Sequence, residues 1–162
     1  MQFPSRFGFV SDHPPCDPQG LAAFETSLAS GRLPDDYRAF LLQWNGGYFP
    51  DIVNFPFKDE EDVFDFGSIN SLEGLYDPSC QLDLRNNSSS YGFHPAVPST
   101  YLAIGGLGWN QLCISTMGAD FGYVYCWHPG EPWPEEPEPT TRALRPVSRS
   151  FQEFWRVLYR DE

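Results

Sequence analysis

Four large apolar side chains, Tyr37, Phe40, Leu41 and Trp44, recur at the spacing i, i+3, i+4, i+7. On a strand that spacing scatters them over both faces; on an α-helix it gathers them into one stripe, so only the helix offers them a common burial surface. The flanks agree. Pro34 stands at the start, and Asp35 and Asp36 fall in the first turn, beside the positive end of the helix dipole. Asn45-Gly46-Gly47 supplies residues that accept the left-handed backbone that ends a helix. The same stripe returns as Phe151, Phe154, Trp155 and Leu158, after Ser150 and with Glu153 at capping-box spacing. A shorter stripe, Leu21, Phe24 and Leu28, follows Asp17-Pro18, an N-cap with proline at the first helical position, and is expected to end at Gly31.

Before the first stripe, residues 1–16 read as an irregular lead-in punctuated by Pro4, Pro14 and Pro15. Between the stripes the pattern turns to strands. Asp51–Val53 and Val63–Gly67 are candidate strands around the acidic run Lys58-Asp59-Glu60-Glu61-Asp62. Ser71–Leu84 has scattered apolar positions that Pro78 interrupts, and Asn86–Ser90 is a loop by composition. Tyr101–Ile104 is a strand, and Gly105-Gly106-Leu107-Gly108 is expected to turn the chain. Asn110–Thr116 and Gly122–His128 follow; Leu112, Ile114 and Thr116 share one face of the first, while Tyr123, Tyr125 and Trp127 alternate with Val124 and Cys126 in the second. A turn centred on Ala119 and Asp120 sets Cys113 opposite Cys126, which leaves two readings, a pair of small buried side chains or a disulfide. Residues 129–141 are rich in proline and glutamate and read as an exposed, extended loop.

The 162 residues suit one domain, with enough surface to hide to build a core without metal or disulfide staples. The net charge is −12, from 10 basic and 22 acidic side chains, and Lys58 is the one lysine. Such a surface repels phosphate backbones and anionic lipid, so direct nucleic-acid or membrane binding is not expected. It attracts a basic protein and speeds its approach, although the same acidity also serves solubility alone. No apolar run reaches the roughly 20 residues that cross a bilayer, and the opening MQFPSRFGFVSDHPP has no continuous hydrophobic segment of the signal-peptide kind. A cytoplasmic location is expected, where the scattered Cys16, Cys80, Cys113 and Cys126 stay reduced.

Catalytic chemistry finds little to stand on. His13, His94 and His128 each precede a proline, which favours extended loops, and none has the spacing of a metal-binding pair. There is no GxSxG, and Cys113 lies within a strand with no local base to activate it. The GGLG at 105–108 lacks the GK[ST] ending and leads into a strand, so phosphates would meet no helix N-terminus. The clustered Glu60, Glu61, Glu135, Glu136 and Glu138 share polar runs rather than the two unlike environments an acid–base pair needs. No enzyme activity, catalytic residue, cofactor or metal is expected. What the chain does offer is acidic loops that carry aromatics, such as Trp133 between Glu131 and Glu135.

The run from Leu33 to Leu42, closing in Trp44-Asn45-Gly46-Gly47, resembles the opening signature of the SUKH superfamily, LPxxYxxFL followed by Asn-Gly-Gly. Further matches come in order: Val97-Pro98 through Ile104-Gly105-Gly106, Trp109–Ile114, Phe121–Trp127, and Ser150–Leu158 as the closing SFxxFLxxL helix. The glycine turn departs from the common Gly-Gly-Asn, with Trp109 before Asn110. The resemblance covers residues 18–160 and implies a single domain over 1–162. It implies an α+β fold: a central, mostly antiparallel sheet with helices packed on it. It further implies a binding role with no catalytic residues, as in immunity proteins that neutralise a cognate toxin domain, often a nuclease or another nucleic-acid-targeting enzyme. The alternative is a regulatory or scaffold role of the cell-wall-assembly-regulator type. With the charge pattern, the residues expected to meet a basic toxin are Asp59, Glu60, Glu61, Asp62, Asp65, Trp133, Glu135, Glu136 and Glu138.

Overall fold

The computed structural model describes residues 6–11, 13–59, 61–77, 83–86, 98–108, 110–128 and 141–161. Its elements run α1 (Pro18–Glu25), α2 (Asp35–Gln43), β1 (Gly47–Lys58), β2 (Phe64–Leu72), β3 (Tyr101–Leu107), β4 (Asn110–Ser115), β5 (Val124–Trp127), β6 (Leu144–Ser148) and α3 (Phe151–Val157). The strands form one antiparallel sheet whose spatial order is the chain order, β1 to β6. β1 and β6 also approach each other, so the sheet coils back on itself.

The helices form where the apolar stripes place them, and they pack on one face of the sheet. Tyr37, Phe40, Leu41, Phe151, Phe154 and Trp155 are buried there with Val53, Phe55, Ile69, Ile104, Leu112, Ile114 and Val124. The centre is aromatic. Phe151 lies 4.8 Å from Tyr37 and 5.0 Å from Phe40, ring centre to ring centre, and Phe9 meets Trp155 edge-on at 5.3 Å. Such tilted and edge-on contacts suit the charge distribution of the rings. On the opposite face a smaller cluster buries Ala103, Cys113, Trp127, Ala143 and Leu144, with Tyr101 and Tyr125 against it.

Local signals hold at each helix start. The Asp17 carboxylate accepts from the Gly20 amide at 2.9 Å. Ser150 Oγ accepts from the Glu153 amide at 3.0 Å, while the Glu153 carboxylate reaches past Ser150 to the Arg149 amide at 2.8 Å. Asp36 links two helices: its Oδ1 accepts from the Tyr37 amide and its Oδ2 from the Gln152 amide at the start of α3, at 2.8 and 2.9 Å. After α2, Asn45 and Gly46 take φ of +54° and +79°. Asn45 then ties distant loops together, donating to the carbonyls of Pro14 and Leu75 and accepting from the Leu75 amide.

Several expectations change. α1 ends at Glu25, short of Gly31, because the main chain tightens there into three-residue turns, with the Ser27, Leu28 and Gly31 amides on the carbonyls of Phe24, Glu25 and Leu28, while the Glu25 carboxylate binds the Leu33 amide and Arg38. The lead-in contributes to the core through Phe9, and Val10 exchanges two main-chain hydrogen bonds with Tyr48, both 2.9 Å. β1 and β2 are far longer than the short strands expected, and β3 runs on through Gly105 and Gly106 instead of turning there. β6 falls on residues for which no element was expected; it tolerates Pro146 because β6 is the last strand of the sheet, where a missing N–H breaks no ladder. The expected opposition of Cys113 and Cys126 is off by one residue. Cys113 pairs with Tyr125 and Leu112 with Cys126, so the two thiols lie on opposite faces of the sheet, both free. The β4–β5 turn is pinned by Asp120, whose carboxylate accepts from the hydroxyls of Tyr125, Ser115 and Tyr101 at 2.8, 3.0 and 3.1 Å.

Candidate functional site

β1 and β2 continue past the rest of the sheet as a two-stranded ribbon. Among the described residues β2 pairs with β3 only at Ser71 and Leu72, whereas its pairing with β1 runs on from Val53–Ile69 to Lys58–Phe64. Side-chain alternation gives the ribbon two faces. Val53, Phe55 and Phe57 turn into the core. Gly67 lies opposite Phe55, and a Cβ there would collide with the Phe55 ring, so glycine lets the ring lie flat across β2. Pro56, Lys58, Phe64 and Phe66 fall on the other face.

The tip is organised by carboxylates. Asp59 Oδ1 accepts from the amides of Glu61 and Val63, both at 2.9 Å, and the Asp59 amide donates to the Val63 carbonyl. Asp62 sits at φ +62°, a conformation that aspartate tolerates better than most residues. Its carboxylate meets Lys58 Nζ at 2.8 Å, and the same ammonium stands 5.1 Å from the centre of the Phe64 ring. Asp65 Oδ1 accepts from the Phe66 amide at 2.8 Å.

The expected binding residues therefore divide. Glu61, Asp62 and Asp65 are exposed and close together on the ribbon, while half-buried Asp59 is a turn-builder. Glu60, Trp133, Glu135, Glu136 and Glu138 lie outside the described residues. What sequence reasoning missed is the apolar half of the surface: Phe64 is 76% exposed, Phe66 56%, Ile52 56% and Val63 54%. The signal was present in the alternation Phe64-Asp65-Phe66-Gly67, which separates two phenylalanines from an acid and a glycine. Reading it required knowing that the glycine side, not the phenylalanine side, faces the core.

At the foot of the ribbon an open groove of about 530 Å³ is bordered by Asp51, Ile52, Phe66, Ser68, Arg160 and Asp161. Its polar wall is internally bonded. Ser68 Oγ donates to Asn54 Oδ1, and Asn54 Nδ2 donates to Asp161, both at 2.9 Å. Arg160 spans from Asp51, at 3.3 Å, to the Phe7 carbonyl, at 2.7 Å. The whole surface is thus exposed aromatic and aliphatic area ringed by carboxylates, the composition of a protein-binding patch.

A second hollow of about 470 Å³ lies beside α1, against Cys16, Phe24, Tyr76 and Arg85. Burial, and then the Asp17 charge, push the Cys16 thiol up, away from the thiolate. Arg85 is committed to Asp83 through two 2.7 Å contacts. Burial pulls the Asp83 carboxyl upward, but the hydrogen bonds from Arg85 outweigh it and hold it below the usual carboxylate range. The other two thiols among the described residues are no more reactive: burial pushes Cys126 up to about 12 and Cys113 higher still. His13 stacks on Tyr76 at 3.7 Å, His128 leans on Phe57 at 5.2 Å, and His94 lies outside the described residues. Among the described residues no three His, Cys, Asp or Glu side chains converge to hold a metal, and no helix is long and apolar enough to cross a membrane.

A family model described as SMI1 / KNR4 family (SUKH-1) matches residues 15–156. No curated protein and no solved structure matches.

Proposed function

This chain belongs to the SMI1/KNR4 (SUKH-1) family, and from that premise we propose that it is an immunity protein that binds a cognate toxin domain of a polymorphic or contact-dependent system and neutralises it by stoichiometric occlusion. The observation that carries this reading is the ribbon. Phe64 and Phe66 stand exposed on its outer face, with the exposed carboxylates of Glu61 and Asp62 at its tip and that of Asp65 along its margin. A toxin that acts on nucleic acid needs a basic surface to grip phosphates. The acidic ribbon competes for that surface as a charge mimic, and the net charge of −12 raises the association rate. The aromatics, desolvated in the complex, slow release. Immunity of this kind belongs in the cytoplasm, where the incoming toxin acts.

Mixing the chain with the toxin domain encoded beside its gene tests the reading. The expected result is a one-to-one complex, loss of toxin activity, and association that slows as salt is added. Absence of a complex at micromolar concentrations overturns it; salt-independent association removes the electrostatic part. The family match also supports a second reading, a regulatory or scaffold protein of the cell-wall-assembly-regulator type. That protein would hold its partner without inhibiting it, so the activity measurement separates the two.

A further inference from the structure

The main chain of the ribbon has a handed accessibility that its side chains do not reveal. In an antiparallel pair, opposed residues alternate between pairs that exchange N–H···O bonds and pairs whose groups point away from the partner strand. At the tip the Asp59 amide bonds the Val63 carbonyl at 2.9 Å. Counting back by twos through the unbroken register, Phe57–Asp65, Phe55–Gly67 and Val53–Ile69 exchange bonds. Lys58–Phe64, Pro56–Phe66 and Asn54–Ser68 therefore point outward. Two contacts confirm the parity. Asn54 exchanges its outward groups with Tyr159, at 2.8 and 2.9 Å, and the Phe66 N–H, turned away from β1, is taken by the Asp65 carboxylate.

The two margins of the ribbon are treated differently. Along β1 the outward positions at Tyr48 and Asn54 are covered by Val10 and Tyr159, and Pro56 has no N–H to offer, which leaves the outward N–H of Lys58 next to the tip. Covered edges and prolines are how sheets refuse further strands. Along β2, among the described residues, no strand lies against Phe64, Phe66 and Ser68, because pairing to β3 begins at Ser71. The one outward donor with a partner, the Phe66 amide, is held by an exposed carboxylate that an incoming carbonyl can displace.

We propose that the β2 margin from Phe64 to Ser68 receives an extended basic segment of the partner protein, which adds to the ribbon as a strand. The inference rests on the toxin-binding reading above and specifies its contact. Main-chain bonds to Phe64, Phe66 and Ser68 give the register, as in other strand additions. The chemistry of the occupant follows from what flanks that margin. Exposed Glu61, Asp62 and Asp65 call for lysine or arginine, and Phe64 and Phe66 call for apolar side chains at alternating positions.

The test uses the whole protein, isotope-labelled, and a short capped peptide of alternating lysine and valine as the probe. A twin peptide with every amide N-methylated keeps the charges and side chains and removes the donors. The expected result is slowed amide exchange at Phe64 and Ser68 with the plain peptide, and binding weaker by about tenfold or more with the twin, the loss of at least one main-chain hydrogen bond. Equal binding of the two peptides overturns the inference, as does binding of neither. Slow exchange at Phe64 and Ser68 in the protein alone also overturns it, since the margin would then be occupied already. The immunity reading is tested separately by toxin inhibition. Inhibition that leaves Phe64 and Ser68 exchanging freely in the complex keeps that reading and removes this one.

Discussion

Replacing Phe64 and Phe66 together by threonine separates binding from folding. Threonine, being β-branched, favours strands as phenylalanine does, so the strand preference survives while both rings are lost. Phe64 is 76% exposed and Phe66 56%, so the fold hides about a quarter of one ring and less than half of the other. Full burial of a phenylalanine contributes about 1.5–3 kcal/mol, which scales to about 1–2 kcal/mol for the two hidden fractions together. The exposed contact between Lys58 and the Phe64 ring adds about 0.5 kcal/mol at most. At this chain length the melting temperature should fall by about 3–8 °C. Binding should suffer far more. Two aromatic anchors at about 2 kcal/mol each weaken the complex by about a thousandfold, chiefly through faster dissociation. Differential scanning fluorimetry reads the first number and titration calorimetry with the toxin domain reads the second. A dissociation constant within about threefold of the parent's, in a variant that still folds, refutes the ribbon as the binding surface. A fall of about 15 °C or more would instead place the rings in the core.

Other consequences concern the scaffold. Burial pulls the Asp120 carboxyl upward, but the hydroxyls of Tyr125, Ser115 and Tyr101 outweigh it and hold it below the usual carboxylate range; Asp83 is held low by Arg85 in the same sense. A folded-state value below the unfolded one gives stability that is complete above about pH 4 and is lost as the pH falls through the folded values. Denaturant unfolding should show that acid loss, and Asp120→Asn should cost about 1–3 kcal/mol at neutral pH while flattening the acid limb; an unchanged limb would mean that the carboxylate is not bonded as described. Ser150→Ala removes the acceptor of the Glu153 amide and should cost about 1 kcal/mol in urea unfolding, with Ser150→Asp close to neutral. Cys113 and Cys126 should resist alkylation until the protein is unfolded, and intact-mass analysis without reductant should show no link between them; a bond joining them would contradict the observed register.

The relation between sequence and structure differs from element to element. The stripes at Tyr37–Trp44 and Phe151–Leu158 were enough to place two helices and the face each buries, because helical periodicity and capping are properties of neighbouring residues. The acidic run was legible as a surface for the same reason. The glycine at 46 was legible as a helix terminator, but not as the residue on which Tyr76 and the main chain of Glu73 close. Strand extent was not legible, since Pro50, Pro56 and Pro146 forbid a ladder bond on one side and say nothing of whether that side is an edge.

Composition and local pattern determined that this chain is acidic and aromatic-rich and combines helices with strands, and the ordered motifs, through their resemblance, pointed to the SUKH kind of α+β fold. The tertiary structure decided which phenylalanines stay outside it. Phe55 and Phe57 are covered and Phe64 and Phe66 are not, although all four lie in adjacent, alternating strands of similar composition. The difference is one of parity and position. The helices cover only one face of the sheet, and the ribbon runs on beyond β3, so the side chains of its outer face project where no further layer of the described structure meets them. No local rule carries that information, because it depends on where a sheet ends and not on what its residues prefer.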